Sequence, residues 1–267
     1  MKIELPILQT SNARKLSIGL ILLLIVGLLA GSHPLRAEAH VHTFVVNSLG
    51  DGDDPFPGGG TCETTTPGEC TLRAALSEVY GLFQGYYGLP DTDLHTITVP
   101  AGTYFVYSEL GVGGNVVING AGRDVTLITG QGSGVITLGS GTTAAINDLT
   151  ITNGLAASAA GIFNAGDLTL TNVAVTNNTA TVGSGGGIRN WGTLTLNQVV
   201  LSGNHAEQNG GAIDNVDGSG ATLTMTDSTL YRNKSLNTTG FKTGGGINNG
   251  AGCSCLLYTS PSPRDRS

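Results

Sequence analysis

The sequence predicts an all-β chain wound as a parallel β-helix, with one short helix as an N-terminal cap. Three observations carry this: a repeat of about 25 residues, a period-two alternation inside each repeat, and asparagines at fixed places within it. The repeat is read from AAGIFNAGDLTLTNVAVTNN, GGGIRNWGTLTLNQVVLSGN and GGAIDNVDGSGATLTMTDSTLYRN, with a fourth copy beginning at GGGINN. Its isoleucines, Ile162, Ile188, Ile213 and Ile247, are 26, 25 and 34 residues apart. The long step contains VDGSGA and SLNTTGFKT, turn-like inserts of the kind a solenoid tolerates. Asn164, Asn190, Asn215 and Asn249 each stand two residues after the isoleucine, and Asn178, Asn204 and Asn233 close each unit.

Within a unit, Leu168/Leu170, Leu194/Leu196 and Leu223/Met225 alternate mainly with threonine, which is the strand period. Val173/Val175 and Val199/Leu201 start a second alternation after a shift of phase, with Ser228/Leu230 as a weaker third copy. Each unit therefore reads as three short strands, one around the isoleucine and two more, separated by Gly or Asn bends. So short a unit cannot bury three half-apolar strands alone. Stacked, every strand finds a parallel copy of itself roughly 4.8 Å away, and the inward Ile, Leu and Val columns form one dry core. An inward asparagine repeated at a bend can donate its amide to the next asparagine and satisfy the corner's backbone. Upstream, AAINDLTITNG places Leu149 and Ile151 on the Val173 and Val175 columns, and NVVINGAGRDVTLITG and HTITVPAGTYFV alternate in the same way. The β-helix is expected over 96–252, in about six coils.

Residues 1–39 read as a signal peptide: Arg14 and Lys15, then LSIGLILLLIVGLLAG, then Ala37-Glu38-Ala39 as a small-x-small site, with cleavage expected after Ala39. An uncleaved anchor is the alternative, since the apolar run is near the lower limit for a span. Either way the rest of the chain is exported and disulfides are permitted. Residues 40–95 form the cap segment. Cys62 and Cys70 flank a Thr/Pro/Gly loop and are expected to form a disulfide, two cysteines without nearby histidines being a poor zinc site. Thr71 can cap a helix through LRAALSEV, whose Leu72, Ala75, Leu76 and Val79 share a face able to cover the first coil.

CTLRAALSEV, following V-N-S and D-G-D-D, resembles the CSLREP motif of exported bacterial and archaeal β-helix proteins. The chain keeps Cys70, Thr71, Leu72 and Arg73 but has Ala74 where glutamate is usual and Ala75 in place of the name-giving proline. The G-G-x-I and closing-Asn repeats are similar to those of polymorphic outer membrane proteins and variable-anchor β-helix surface proteins. Together these resemblances cover about residues 43 to 252. They imply a right-handed helix, as in pectate-lyase-like solenoids, and a secreted or cell-surface setting. They imply little about activity. Residues 253–267 are expected to be a non-native tail: 255–265 match, residue for residue, one reading frame of a widely used transposase sequencing adapter, so the repeat is read as ending after GAG.

Between residues 40 and 254 six basic residues face sixteen acidic ones, a net of −10. A nucleic-acid partner is therefore not expected, and a membrane would be met only through the signal or a missing C-terminal anchor. A lyase on this fold would need clustered acidic calcium ligands and a basic residue beside the substrate. The candidates are Arg189, Asp214 and Asn248 in one column, with Asp217, Arg232 and Lys234. Arg189 and Asp214 are expected to face outward as an ordinary stacked ion pair of small energetic value. Asp227 is read as solitary on a strand beside Asn172 and Gln198. His40, His42, His95 and His205 are read as solvated residues rather than a metal set, and Asp51, Asp53 and Asp54 as an exposed turn. Trp191, the only tryptophan, either stacks on a sugar or shields a strand edge.

No catalytic residue, cofactor or metal is assigned. The expected function is a secreted or surface-displayed, adhesin-like or glycan-contacting scaffold, with an extracellular glycan or a host or neighbouring cell surface as partner. A polysaccharide lyase or glycoside hydrolase whose catalytic coils are partly missing, and a structural surface-layer protein, are the alternatives.

Overall fold

The computed structural model describes residues 41–258 except 89, 217–219 and 237–243. The described chain is nearly all β: a right-handed parallel β-solenoid of about five turns with one short helix. Every strand pairing is parallel and joins equivalent positions of successive coils. The long sheet holds eight strands, from Thr43–Val45 and His95–Val99 to Thr222–Thr226 and Ser254–Tyr258. The isoleucine sheet holds six, from Leu110–Val112 through Ile162–Asn164, Ile188–Asn190 and Ile213–Asn215 to Ile247–Asn249. The valine sheet holds six, from Gly102–Val106 to Thr229–Tyr231.

The repeat also makes a fourth sheet that the alternation does not announce. Leu155–Ala156, Thr179–Ala180, His205–Ala206 and Lys234–Ser235 are two-residue strands lying just after the closing asparagines. Two residues cannot show a period, so three strands per unit becomes four. Their inward alanines, Ala180 and Ala206, pack with Ala160 as a small cluster apart from the main core.

The aligned columns stack as the repeat requires. Ile162 pairs with Ile136 and Ile188, and Ile188 with Ile213; Leu168 and Leu170 pair with Leu194 and Leu196, which pair with Leu223 and Met225. All are buried, and Ile247 is half-buried at the last pairing. A leucine-to-alanine change in such a column costs about 2–5 kcal/mol, because neighbours above and below hold the cavity open.

Both asparagine columns are amide ladders. Asn164 donates to Asn190 Oδ1, Asn190 to Asn215 and Asn215 to Asn249, each at 2.7 Å. Asn178 donates to Asn204, and Asn204 to Asn233, each at 3.0 Å. The remaining amide bonds go to carbonyls such as Ile151, Val175 and Leu201, so the corner's backbone is satisfied without water.

The glycines directly before Ile162 and Ile188 exist for close approach, whereas Ile213 follows Ala212. A Cβ on Gly187 would lie 2.6 Å from the Ala212 carbonyl oxygen and 3.1 Å from the Asn204 amide. Glycine and closing asparagine are therefore one device, the flat amide packing where a side chain would stand. Two further corners use the left-handed region: Asp148, Asn172, Gln198 and Asp227 after the long sheet, and Asn153, Asn177, Gly203 and Arg232 after the valine sheet. Asn and Asp tolerate this conformation best, which explains most of the choices at these places.

The cap helix runs over Leu72–Gln84, further than LRAALSEV suggested, because Gly85 in the left-handed region ends it. Thr71 accepts a hydrogen bond from Ala74 N as the N-cap, and Leu72, Ala75, Leu76 and Val79 join the core of the first coils. The Cys62–Cys70 disulfide forms, with Cα atoms 5.3 Å apart. Glu78 is fully buried and accepts backbone N–H bonds from Gly58 and Gly60, tying the PGGG loop to the helix. Arg73 grips Asp51 with two nitrogens and donates to the Ser108 and Glu109 carbonyls, fastening the cap to the isoleucine sheet's first coil.

Two further expectations are corrected. His95 is not solvated: its position is the inward one that continues as Val116, Ala144, Leu168, Leu194 and Leu223 in later coils, and it is fully buried. The repeat also does not stop at GAG, since Ser254–Tyr258 pairs with Thr222–Thr226 as the next strand. Its alternation puts Cys255 beside Leu223, half-buried, while Leu256 and Leu257 are exposed. Residues 259–267, His40 and the signal region lie outside the described residues.

Candidate functional site

The middle residue of each isoleucine-sheet strand points away from the core, and parallel pairing stacks these residues into one outer ladder: Gly111, Thr137, Phe163, Arg189, Asp214, Asn248. The ladder places an aromatic, a cation, a carboxylate and an amide on successive coils. Trp191 follows two residues after Arg189, where its backbone N–H donates to the Asn164 carbonyl at 2.7 Å. Its ring meets Phe163 edge-to-face at 6.2 Å and lies under the Arg189 guanidinium, 5.7 Å from centroid to Cζ. It is 46% exposed, so one flank is pinned and the other open to solvent.

Arg189 and Asp214 pair across adjacent coils as expected, Nε to Oδ2 at 3.3 Å, but the pair is not the ordinary exposed one. Asp214 is buried, with Arg189 and Asn248 of the adjacent coils as its side-chain partners. The Asn248 amide donates to Asp214 Oδ1 at 2.7 Å, and Arg189 Nη1 donates to Ser158 Oγ at 3.2 Å. Arg189 Nε itself is buried and, in this alignment, makes no hydrogen bond. Burial pushes the Asp214 carboxyl above the usual aspartate range, with the Asn248 amide and the Arg189 charge pulling it back.

The other sequence candidates are dispersed. Arg232 is a corner residue and Lys234 lies on the short sheet; Asp217 is outside the described residues. Asp227 is not on a strand but in the left-handed corner column, where Asn172 donates to Asp148 at 2.6 Å. Asp51, Asp53 and Asp54 are occupied within the cap: Asp51 by Arg73 and Tyr107 N, Asp53 by Ser77, Asp54 by Phe56 N. His42 donates its backbone N–H to His95 Nδ1, and His205 sits on the short sheet. Among the described residues no group of three or more His, Cys, Asp or Glu side chains is placed to hold a metal ion.

Chemically, the ladder presents a half-open aromatic face beside a charge-balanced ion pair, and it holds one carboxylate. Glycoside hydrolysis ordinarily takes two. Trp191 was legible as the only tryptophan and the Arg189–Asp214 register from the repeat alignment; Phe163 was missed, and its alignment with Arg189 was the available signal. No helix among the described residues is long and apolar enough to cross a membrane. No family model, curated protein or solved structure matches this chain.

Proposed function

We propose that the chain is an exported, secreted or surface-displayed β-helix scaffold of the adhesin-like kind, and that the outer ladder of its isoleucine sheet contacts a glycan. The observation that carries this reading is Trp191, half-exposed yet held by Phe163 and Arg189. An aromatic fixed in orientation with one face open offers the apolar side of a sugar ring a preformed platform, at little cost in side-chain entropy. The disulfide fits an oxidising compartment and so supports export. The acidic balance of the chain favours neutral glycans over polyuronates and phosphates.

The test uses the chain's single tryptophan as its own reporter. Titration with neutral hexasaccharides (cello-, xylo- and manno-oligomers) is expected to shift Trp191 emission saturably, and Trp191→Ala is expected to weaken binding measured by calorimetry. Emission unchanged by all of them, with the protein folded, removes the reading.

A further inference from the structure

A cleft of about 590 Å³ lies between the cap helix and the outer face of the isoleucine sheet's first coils. That volume is in the range of small-molecule sites. One wall is aromatic: Tyr80 and Tyr86 stand edge-to-face at 6.3 Å, 43% and 56% exposed, with Phe83 beside them. Tyr80 can lie this close to the first coil because residue 113 is glycine; a Cβ there would stand 2.4 Å from the tyrosine ring. The opposite wall is the start of the outer ladder, Gly111 and Thr137, with Ser140 beside it.

The charges around the cleft select its ligand. Arg73 is committed to Asp51 and two carbonyls, so it has no open fork for an anion. Asp53 and Asp54 also line the cleft. Exposed phenol rings, hydroxyls and surplus carboxylates suit a neutral, hydroxyl-rich ring and disfavour a uronate or a phosphate. The position matters equally. Thr137 pairs with Phe163 and Phe163 with Arg189, so the cleft's Thr137 and Arg189 are two coils apart on one ladder, roughly 10 Å at the strand spacing, with Trp191 two residues beyond Arg189.

We infer that this cleft is a second glycan subsite, built by the cap helix, which takes a neutral sugar of the same chain whose further rings lie along the ladder to Trp191. The inference rests on the proposed glycan reading for its second half only; the cleft's own chemistry stands apart from Trp191. Filling two subsites with one chain makes affinity depend on length, because the second contact is intramolecular.

Gly111 supplies the test. A Cβ there meets nothing within 4 Å, so Gly111→Phe starts a bulky side chain in open space and directs it into the cleft from that wall. Wild type, Gly111→Phe and Tyr80→Ala are titrated with cellohexaose, xylohexaose, mannohexaose and the matching disaccharides, by calorimetry and by Trp191 emission; circular dichroism checks the fold. The expected result is that Gly111→Phe weakens binding of the preferred hexasaccharide about tenfold or more while leaving the disaccharide-induced shift of Trp191 emission unchanged. Tyr80→Ala weakens it in the same direction. Hexasaccharide binding with an emission shift, equal in wild type and Gly111→Phe, overturns the cleft and keeps the Trp191 reading. Binding abolished by Gly111→Phe with Trp191 silent throughout keeps the cleft and overturns the Trp191 reading. No binding of any sugar overturns both.

Discussion

Asn190 shows how much one side chain does in this fold. Its amide nitrogen reaches the carbonyls of Gly192 and Thr222 and Oδ1 of Asn215, while its own oxygen accepts from Asn164 and Gly192 N. Asn190→Ala would leave several of these groups buried and unpaired. The expected cost is about 2–3 kcal/mol, read as a lowered urea midpoint with an unchanged slope. His95 is the second residue whose place decides its behaviour. Burial, first, and His42, to a lesser degree, hold its pKa below the ordinary histidine value, while Asp91 and Asp93 act the other way. A pKa lowered in the folded state means that the stability from the neutral imidazole is present above the unfolded value and lost as pH falls through the folded one. Between about pH 7.5 and 5.5 the wild type is therefore expected to lose stability relative to His95→Leu, which keeps an apolar group in that inward column without a titrating one. Parallel pH profiles for the two proteins would contradict this.

At the scale of elements, the coils repeat one set of bonds and one packing, while the cap is fastened by bonds that occur once. Helix Leu72–Gln84 meets the first coils with one apolar face, and the disulfide, Glu78 and Arg73 fix the loop that leads into it. The disulfide closes a short loop, so its restriction of the unfolded chain is modest. Replacing both Cys62 and Cys70 by serine is expected to cost roughly 2.5 kcal/mol, measured as a lower denaturation midpoint. The helix was visible in LRAALSEV and its N-cap Thr71, yet not its length. YGLFQ carries no stronger helical pattern than a loop would, and Gly85 decides the end only because its left-handed conformation closes the last turn onto Gly81 and Leu82 carbonyls. The short sheet was illegible for a similar reason. Pairs such as Thr179–Ala180 are strands solely because another coil lies on each side.

For the whole molecule, the sequence by itself determined the winding. An isoleucine, a leucine pair and two asparagines recurring at fixed steps admit one arrangement in which all the apolar groups are buried and all the amides bonded, and that arrangement stacks in register. Periodicity reports inward faces well because burial repeats with the coil. What the tertiary structure alone decided is the rest of the outer face. Outward residues have no common chemistry to repeat: aligning the repeats set Arg189 beside Asp214, but Phe163 and Trp191 join them only through parallel pairing, and the burial of Asp214 appears only in the folded coils. The aromatic cleft is decided later still: Tyr80 and Tyr86 come from the cap, Gly111 and Thr137 from the coils, and no local pattern links segments separated by two or more strands. Core positions answer to the near-uniform physics of excluding water, which composition and spacing record; a binding face answers to which unlike side chains the fold brings together.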